Sequence, residues 1–293
     1  LPGASVKIIY QQVVPNPAKA REVVGRLALR KRDGLCLAGL VVGDASCVQR
    51  AQAVAEAWQA DAEAQALGPL LEEAGAALFL QLPLVVKQGE LGGMKRFLGS
   101  LMGTFGGYVT GDLGLFDHLR RELAGSPAAE RLILTTNAVN RATALVLMER
   151  LGPFRLRPLM HRRTFIEEPV GAPRDVVIYG NMLLNASTFC LHVAEDTPAS
   201  CRGRPCSSGG VLGQSPPALT LEGERVLLVG RSLYTDRRLD LLERIPYIPD
   251  LASVTLQDVN LGLDEIDTAA RAISRYSAPG RAPSASTRES APT

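Results

Sequence analysis

The stretch LCLAGLVVG, Leu35 to Gly43, carries no charge and alternates nothing. A short continuous apolar run of this kind is the pattern of a strand buried on both faces of a parallel sheet. Working upstream, VKIIYQQVV (Val6–Val14) is a second strand candidate. Pro15, Asn16 and Pro17 then open a helix through AKAREVVGRLALRK, which Asp33 and Gly34 end. Downstream, the loop Gly43–Cys47 leads into an Ala/Glu-rich helical region from Val48, with a break expected near Gly68 and Pro69.

The alternation continues along the chain. ALFLQLPLVV is a strand, ELGGMKRFLGSLM a helix, GGYVTGDLG a strand and loop, and LFDHLRRELAG a helix. RLILTTNAVN and FRLRPLM are strands on either side of the helix ATALVLMERLG. DVVIYG and RVLLVG are strands, TDRRLDLLERI a helix, ASVTLQDV the last strand and DEIDTAARAISRY the last helix. About eight or nine strands alternating with helices predict an α/β fold, a (β/α)8 TIM-like barrel. A doubly wound open sheet also fits the alternation, but no G-x-G-x-x-G follows the first strand and no G-x-x-x-x-G-K-[ST] occurs. Residues 1–276 are expected to form one barrel-like domain. The Ala/Ser/Pro-rich segment Ser277–Thr293 lacks apolar anchors and is expected to be a disordered tail.

Of the 293 residues, 46% are apolar and 21% charged, which is ordinary for a globular protein. The net charge of +2 does not call for nucleic acid or an anionic membrane as partner. No apolar run approaches the roughly 20 residues of a membrane span. LPGASVKIIYQQV lacks a signal-peptide pattern, and the five cysteines are an odd number. A cytoplasmic location is therefore expected, where clustered cysteines bind metal or do redox work more often than they pair.

Three of the five cysteines, Cys190, Cys201 and Cys206, follow the strand DVVIYG at C-x10-C-x4-C spacing. In a barrel, the loops after the C-terminal strand ends share one face, where active sites are built. If LCLAGLVVG is the second strand and DVVIYG the seventh, Cys47 joins the other three at that face as a fourth thiol. Four thiolates suit an iron–sulfur cluster or a structural zinc. Zinc ligands usually come in close C-x2-4-C pairs and often include His; His192 is available, so spacing leaves both metals open. Cys36, inside an apolar strand, reads as a small buried hydrophobe.

Several segments resemble the collagenase-like peptidase family (unassigned peptidase family 32), in particular its branch serving oxygen-independent ubiquinone biosynthesis. GDASCVQR (Gly43–Arg50) is similar to the segment with an isolated cluster cysteine, matched by Cys47. GELGGMKRF (Gly89–Phe97) resembles an E-L-G-x-x-K-R segment, and NAVN (Asn137–Asn140) the strand-end asparagines. YGNMLLNASTFC resembles the signature that leads from Tyr-Gly through a Ser to the first clustered cysteine, matching Gly180, Ser187 and Cys190. Two positions depart: Phe189 stands where the family has Arg, and MHRRTF (Met160–Phe165) stands where it has a Glu.

The resemblance implies a [4Fe-4S] cluster on Cys47, Cys190, Cys201 and Cys206. It implies a heterodimer with a related cluster-bearing subunit that hydroxylates a ubiquinone precursor without O2, prephenate being the oxygen donor in family members. A lipid-carrier protein presenting the precursor is a further implied partner. An RNA-hydroxylating enzyme of the same family and a non-catalytic zinc protein are the alternatives. Arg202 and Arg204 would add positive potential beside a cluster, or are solvated loop residues; His161 with Arg162 and Arg163 at a strand end reads either as a site for an anionic substrate such as prephenate or as a basic cluster capping its loop. His118 lies on a helix and reads as a surface residue. Peptidase activity finds no H-E-x-x-H and no G-x-S-x-G.

Overall fold

The computed structural model describes residues 5–136, 141–152, 154–159, 167–186, 213 and 216–276. Eight parallel strands close into a barrel: β1 (Val6–Gln12), β2 (Leu35–Val42), β3 (Ala77–Gln81), β4 (Gly107–Thr110), β5 (Leu132–Thr136), β6 (Arg155–Pro158), β7 (Arg174–Ala186) and β11 (Leu251–Asp258). They follow one another in sequence order around the wall, and the β11–β7 pairing closes the ring. The outer layer holds α1 (Pro17–Leu29), α2 (Val48–Ala60), α3 (Ala62–Ala74), α4 (Gln88–Leu101), α5 (Leu113–Glu122), α6 (Arg141–Leu151) and α7 (Leu263–Ser274). The expected (β/α)8 TIM-like architecture is the one observed. Among the described residues no helix is long and apolar enough to cross a membrane.

Helix α1 shows how local chemistry sets an element. Asn16 is extended and its side chain accepts from Lys19 N at 3.0 Å, while Pro17 supplies a preset first turn. Ala20, Val23, Val24 and Leu27 fall on one face and are buried. Burying each of the larger of these side chains is worth about 1.5–3 kcal/mol, so packing outweighs the cap, whose loss in Asn16→Ala costs about 1 kcal/mol.

The barrel interior is filled from its lower end by Ile9, Val41, Ala77, Phe79, Val109 and Ile133. Phe79 is the largest of these, and the wall makes room for it on both sides. A Cβ at Gly39 or at Gly107 would lie 2.4 Å from its ring. Two residues further along each strand, the period-2 alternation returns to the interior. Gln11, Gln81 and Thr135 therefore sit above Ile9, Phe79 and Ile133, and the upper interior is polar.

Strand β7 does two jobs. Its first half pairs in parallel with β11, and from Tyr179 onward it pairs antiparallel with β10 (Ser232–Asp240). β10 in turn pairs with β9 (Glu224–Val229), and β9 with β8 (Ala218–Leu221), so an antiparallel extension grows from the wall. The exchange of partners occurs at Gly180, whose φ is +117° and where a Cβ would lie 2.0 Å from Gln257 O. An L side chain tolerates neither the angle nor the contact.

Four expectations from sequence need correction. The long helical region breaks at Asp61, not at Gly68–Pro69: the Asp61 carboxylate accepts from Ala64 N at 2.9 Å and starts α3, which runs through Pro69. TDRRLDLLERI is not a helix; most of it is β10, hydrogen-bonded on both edges, followed by the 3-10 turn Leu242–Tyr247. RVLLVG is β9 of the extension and not a wall strand. The strand ALFLQLPLVV stops at Gln81, because Pro83 has no N–H to give the ladder.

Candidate functional site

The loop Gly43–Cys47 leaves the C-terminal end of β2. Gly43 N donates to Gln12 O at 3.0 Å, and the Asp44 carboxylate accepts from Ser46 N at 2.8 Å. Asp44 also pairs with Arg50, and both side chains are buried to 1% exposure or less. This pair spans the loop and the first turn of α2, so Cys47 between them has little freedom. Cys47 is the extended residue at the N-terminus of α2 and is 6% exposed. Burial pushes its thiol pKa up, while the helix end it occupies is the one that favours an anion.

The extension from β7 comes back to this loop. At the β9–β10 turn, a Cβ on Gly230 would lie 2.5 Å from Ser46 Oγ and 2.6 Å from Arg50 Cδ. Four residues on, Tyr234 is buried against Val13, Val14, Leu227, Val229 and Val259. Burial first, and then the nearby Asp44 carboxylate, raise its phenol pKa. The last residue of β7, Ala186, is the register partner of Ser232, two residues from Gly230. The end of β7 is thus held beside the loop that carries Cys47.

Below this lies the polar upper interior of the barrel. Arg157 on β6 donates through Nε to Asp175 Oδ2 (2.6 Å), through Nη1 to Gln11 Oε1 (2.7 Å) and through Nη2 to Thr255 Oγ1 (3.1 Å). Asp175 further accepts from Ser253 Oγ at 2.6 Å. Gln11 Nε2 donates to Gln81 Oε1 at 3.3 Å, and Gln257 Nε2 to Asn181 O at 2.8 Å. Gln11, Gln81, Thr135, Arg157, Gln257 and Tyr234 line a cleft of about 30 Å³.

Of the expected ligands, Cys47 falls among the described residues and lies at the C-terminal face. Cys190, Cys201 and Cys206 lie outside the described residues. So do His161, Arg162, Arg163, His192, Arg202, Arg204, Asn137, Asn140, Ser187, Phe189 and the segment 277–293. Among the described residues no group of three or more His, Cys, Asp or Glu gathers as a metal site. Cys36 is half-buried near the start of β2, at the other end of the barrel. His118 sits in the outer layer on α5, 3.9 Å from Glu122. Glu90, from the GELGGMKRF segment, reaches α2 by accepting from Gln49 Nε2 at 3.2 Å.

The interior constellation of Gln11, Gln81, Thr135, Arg157, Asp175 and Gln257 was not picked out from sequence. Its signal was present: each is a buried polar residue at an inward period-2 position of a wall strand. Comparison of the chain with family models, with curated proteins and with solved structures yields no match.

Proposed function

We propose that this protein is the iron–sulfur subunit of an oxygen-independent hydroxylase acting on a ubiquinone precursor, of the UbiV type, with Cys47, Cys190, Cys201 and Cys206 as cluster ligands. The observation that carries the reading is the register pair Ala186–Ser232 together with the packing of Gly230 on Ser46 and Arg50. Cys190 is four residues beyond Ala186, and four residues reach at most about 14 Å. A β7 end tied to the Cys47 loop supports a ligand set that includes both Cys47 and Cys190. The motif resemblance supports the choice of metal and pathway, and with it a related cluster-bearing subunit and a lipid carrier as partners.

The donor chemistry fits. Cys47 is a buried thiol on a loop fixed by the Asp44–Arg50 pair, and its helix N-terminus favours the thiolate that a metal requires. A bound [4Fe-4S] cluster would supply one-electron chemistry at the barrel mouth. The protein's part is to orient Cys47, to exclude water with the Tyr234 layer, and to set the local field through buried pairs that are each charge-balanced.

Anaerobic purification followed by iron, sulfide and zinc analysis tests the proposal. Brown protein whose visible absorbance bleaches on reduction is expected, with iron and sulfide in matching amounts. A colourless preparation holding stoichiometric zinc sinks it.

A further inference from the structure

The cleft in the upper barrel carries unused hydrogen-bonding groups of its own, independent of any metal. Thr135, 6% exposed, lines it, and its Oγ1 makes no hydrogen bond among the described residues. Its register partner across β5 and β6 is Arg157. Of the five guanidinium N–H groups, Arg157 places one on each of Asp175, Gln11 and Thr255, which leaves two. On the opposite side of the cleft, Gln257 places one Nε2 N–H on Asn181 O and leaves its second N–H and Oε1. Gln81 uses both its N–H groups on Leu82 O and Val109 O, while Gln11 accepts from Arg157, gives one N–H to Gln81 and keeps the other. The unused set is two N–H groups of Arg157, one N–H each of Gln11 and Gln257, the Thr135 hydroxyl and the Gln257 carbonyl, so donors are in excess and Gln257 Oε1 is the one carbonyl acceptor.

That set distinguishes between ligand chemistries. A carboxylate only accepts, so it would satisfy Arg157 and Thr135 while facing Gln257 Oε1 with like polarity. The Arg157 charge is in addition already balanced by Asp175 at 2.6 Å, so the cleft has no excess positive charge for an anion. A hydroxyl accepts from Arg157 or Thr135 and also donates to Gln257 Oε1, so it serves the donors and the carbonyl acceptor at once. The space, about 30 Å³, admits a terminal group and not a whole ring. Around it, Leu84, Val177, Leu183 and Tyr234 offer apolar contact.

We propose that the cleft bounded by Thr135, Arg157 and Gln257 is a binding site for the terminal hydroxyl of an alcohol or phenol, with the ligand's apolar body against Leu84, Leu183 and Tyr234. Thr135 and Gln257 are its specificity-determining residues. An unpartnered buried hydroxyl has a cost in the free protein and a use in the complex, and Thr135 is such a hydroxyl among the described residues.

Saturation-transfer NMR titration of the full chain with phenol, anisole and benzoate tests this without reference to iron content. Phenol is expected to bind saturably, and anisole, which cannot donate, and benzoate, which can only accept, to bind about 3- to 10-fold more weakly. Thr135→Val conserves shape and removes a hydroxyl without a partner. It is expected to leave the melting temperature unchanged and to weaken phenol about 3- to 10-fold while leaving anisole unaltered. Gln257→Leu is expected to do the same where it folds. Absence of saturable phenol binding, equal binding of phenol and benzoate, or an unchanged phenol affinity in Thr135→Val overturns the assignment. A protein that holds no iron but binds phenol with this selectivity would overturn the hydroxylase reading and leave the cleft assignment standing.

Discussion

Arg157 on β6 and Asp175 on the adjacent β7 meet inside the barrel, Nε to Oδ2 at 2.6 Å, with side chains 4% and 0% exposed. Each also has neutral partners, Gln11 and Thr255 on the arginine and Ser253 on the carboxylate. The pair links two wall strands beyond its own two, β1 and β11, so it helps hold the closing side of the ring.

Breaking this pair from one side should be severe. Asp175→Ala leaves a buried guanidinium without its counter-charge, and the expected loss is about 3–5 kcal/mol in urea unfolding. Replacing both partners together, Arg157→Met with Asp175→Leu, is expected to cost clearly less, because no charge is then stranded. A double variant no more stable than Asp175→Ala would show that the network's shape matters more than its charge.

A second expectation concerns Gly180, where β7 passes from β11 to β10. Gly180→Ala must hold φ at +117° and bring Cβ to 2.0 Å from a backbone oxygen that has no flexible side chain to move. Strain alone is about 1–3 kcal/mol, and the overlap adds to it. Gly75 is the control: its φ is +70°, with nothing within 4 Å of an added Cβ. Gly75→Ala is expected to lose only about 1 kcal/mol. Denaturation midpoints of the two variants decide the comparison.

The contrast between these positions also shows what sequence carries and what it hides. β2 was legible because eight apolar residues in a row have few other uses, and α1 because Asn16, Pro17 and the Val23–Leu27 face agree. β10 was misread because Leu239, Leu242 and Ile245 repeat at three residues and imitate a helix face. What makes it a strand is pairing with β7 and β9, which is tertiary. Asp61 lost to Gly68–Pro69 as the expected break because a proline is conspicuous, whereas a cap depends on one hydrogen bond. The interior network is dispersed further still, since Gln11, Arg157 and Thr255 are brought together only by closure of the barrel. Cys47 was the reverse case: the strand-end rule placed its loop at the C-terminal face of the barrel, and that is where it lies.

If Cys47 is a cluster ligand, its removal must act on iron before it acts on fold. Cys47→Ser is expected to lower iron per chain in anaerobically purified protein and to leave the far-UV spectrum intact. Cys36→Ser is expected to retain full iron. Cys36 and Val42 are six strand positions apart, about 20 Å at the usual rise, so Cys36 cannot share a metal with the C-terminal face. Equal iron in both variants and wild type would remove Cys47 from the ligand set.

The last prediction is a pH dependence at the join between the extension and the barrel. Glu265 accepts from Arg238 Nε at 2.9 Å and from Gly262 N at 2.7 Å, so it ties β10 to the first turn of α7. Arg238 is the main reason its pKa lies below the usual 4.5, with burial opposing the shift. A carboxylate whose pKa is lower in the folded state stabilises the fold fully above the unfolded value. That contribution is lost as pH falls through the folded value. Glu265→Gln should therefore be less stable than wild type near neutrality, by less than about 1 kcal/mol given the exposure of the pair. The gap should close as pH drops below 4.5. Urea midpoints for both proteins near neutrality and in acid measure it; a gap of equal size at both would mean that the contacts of Glu265 act as neutral hydrogen bonds and that its charge contributes nothing to the join.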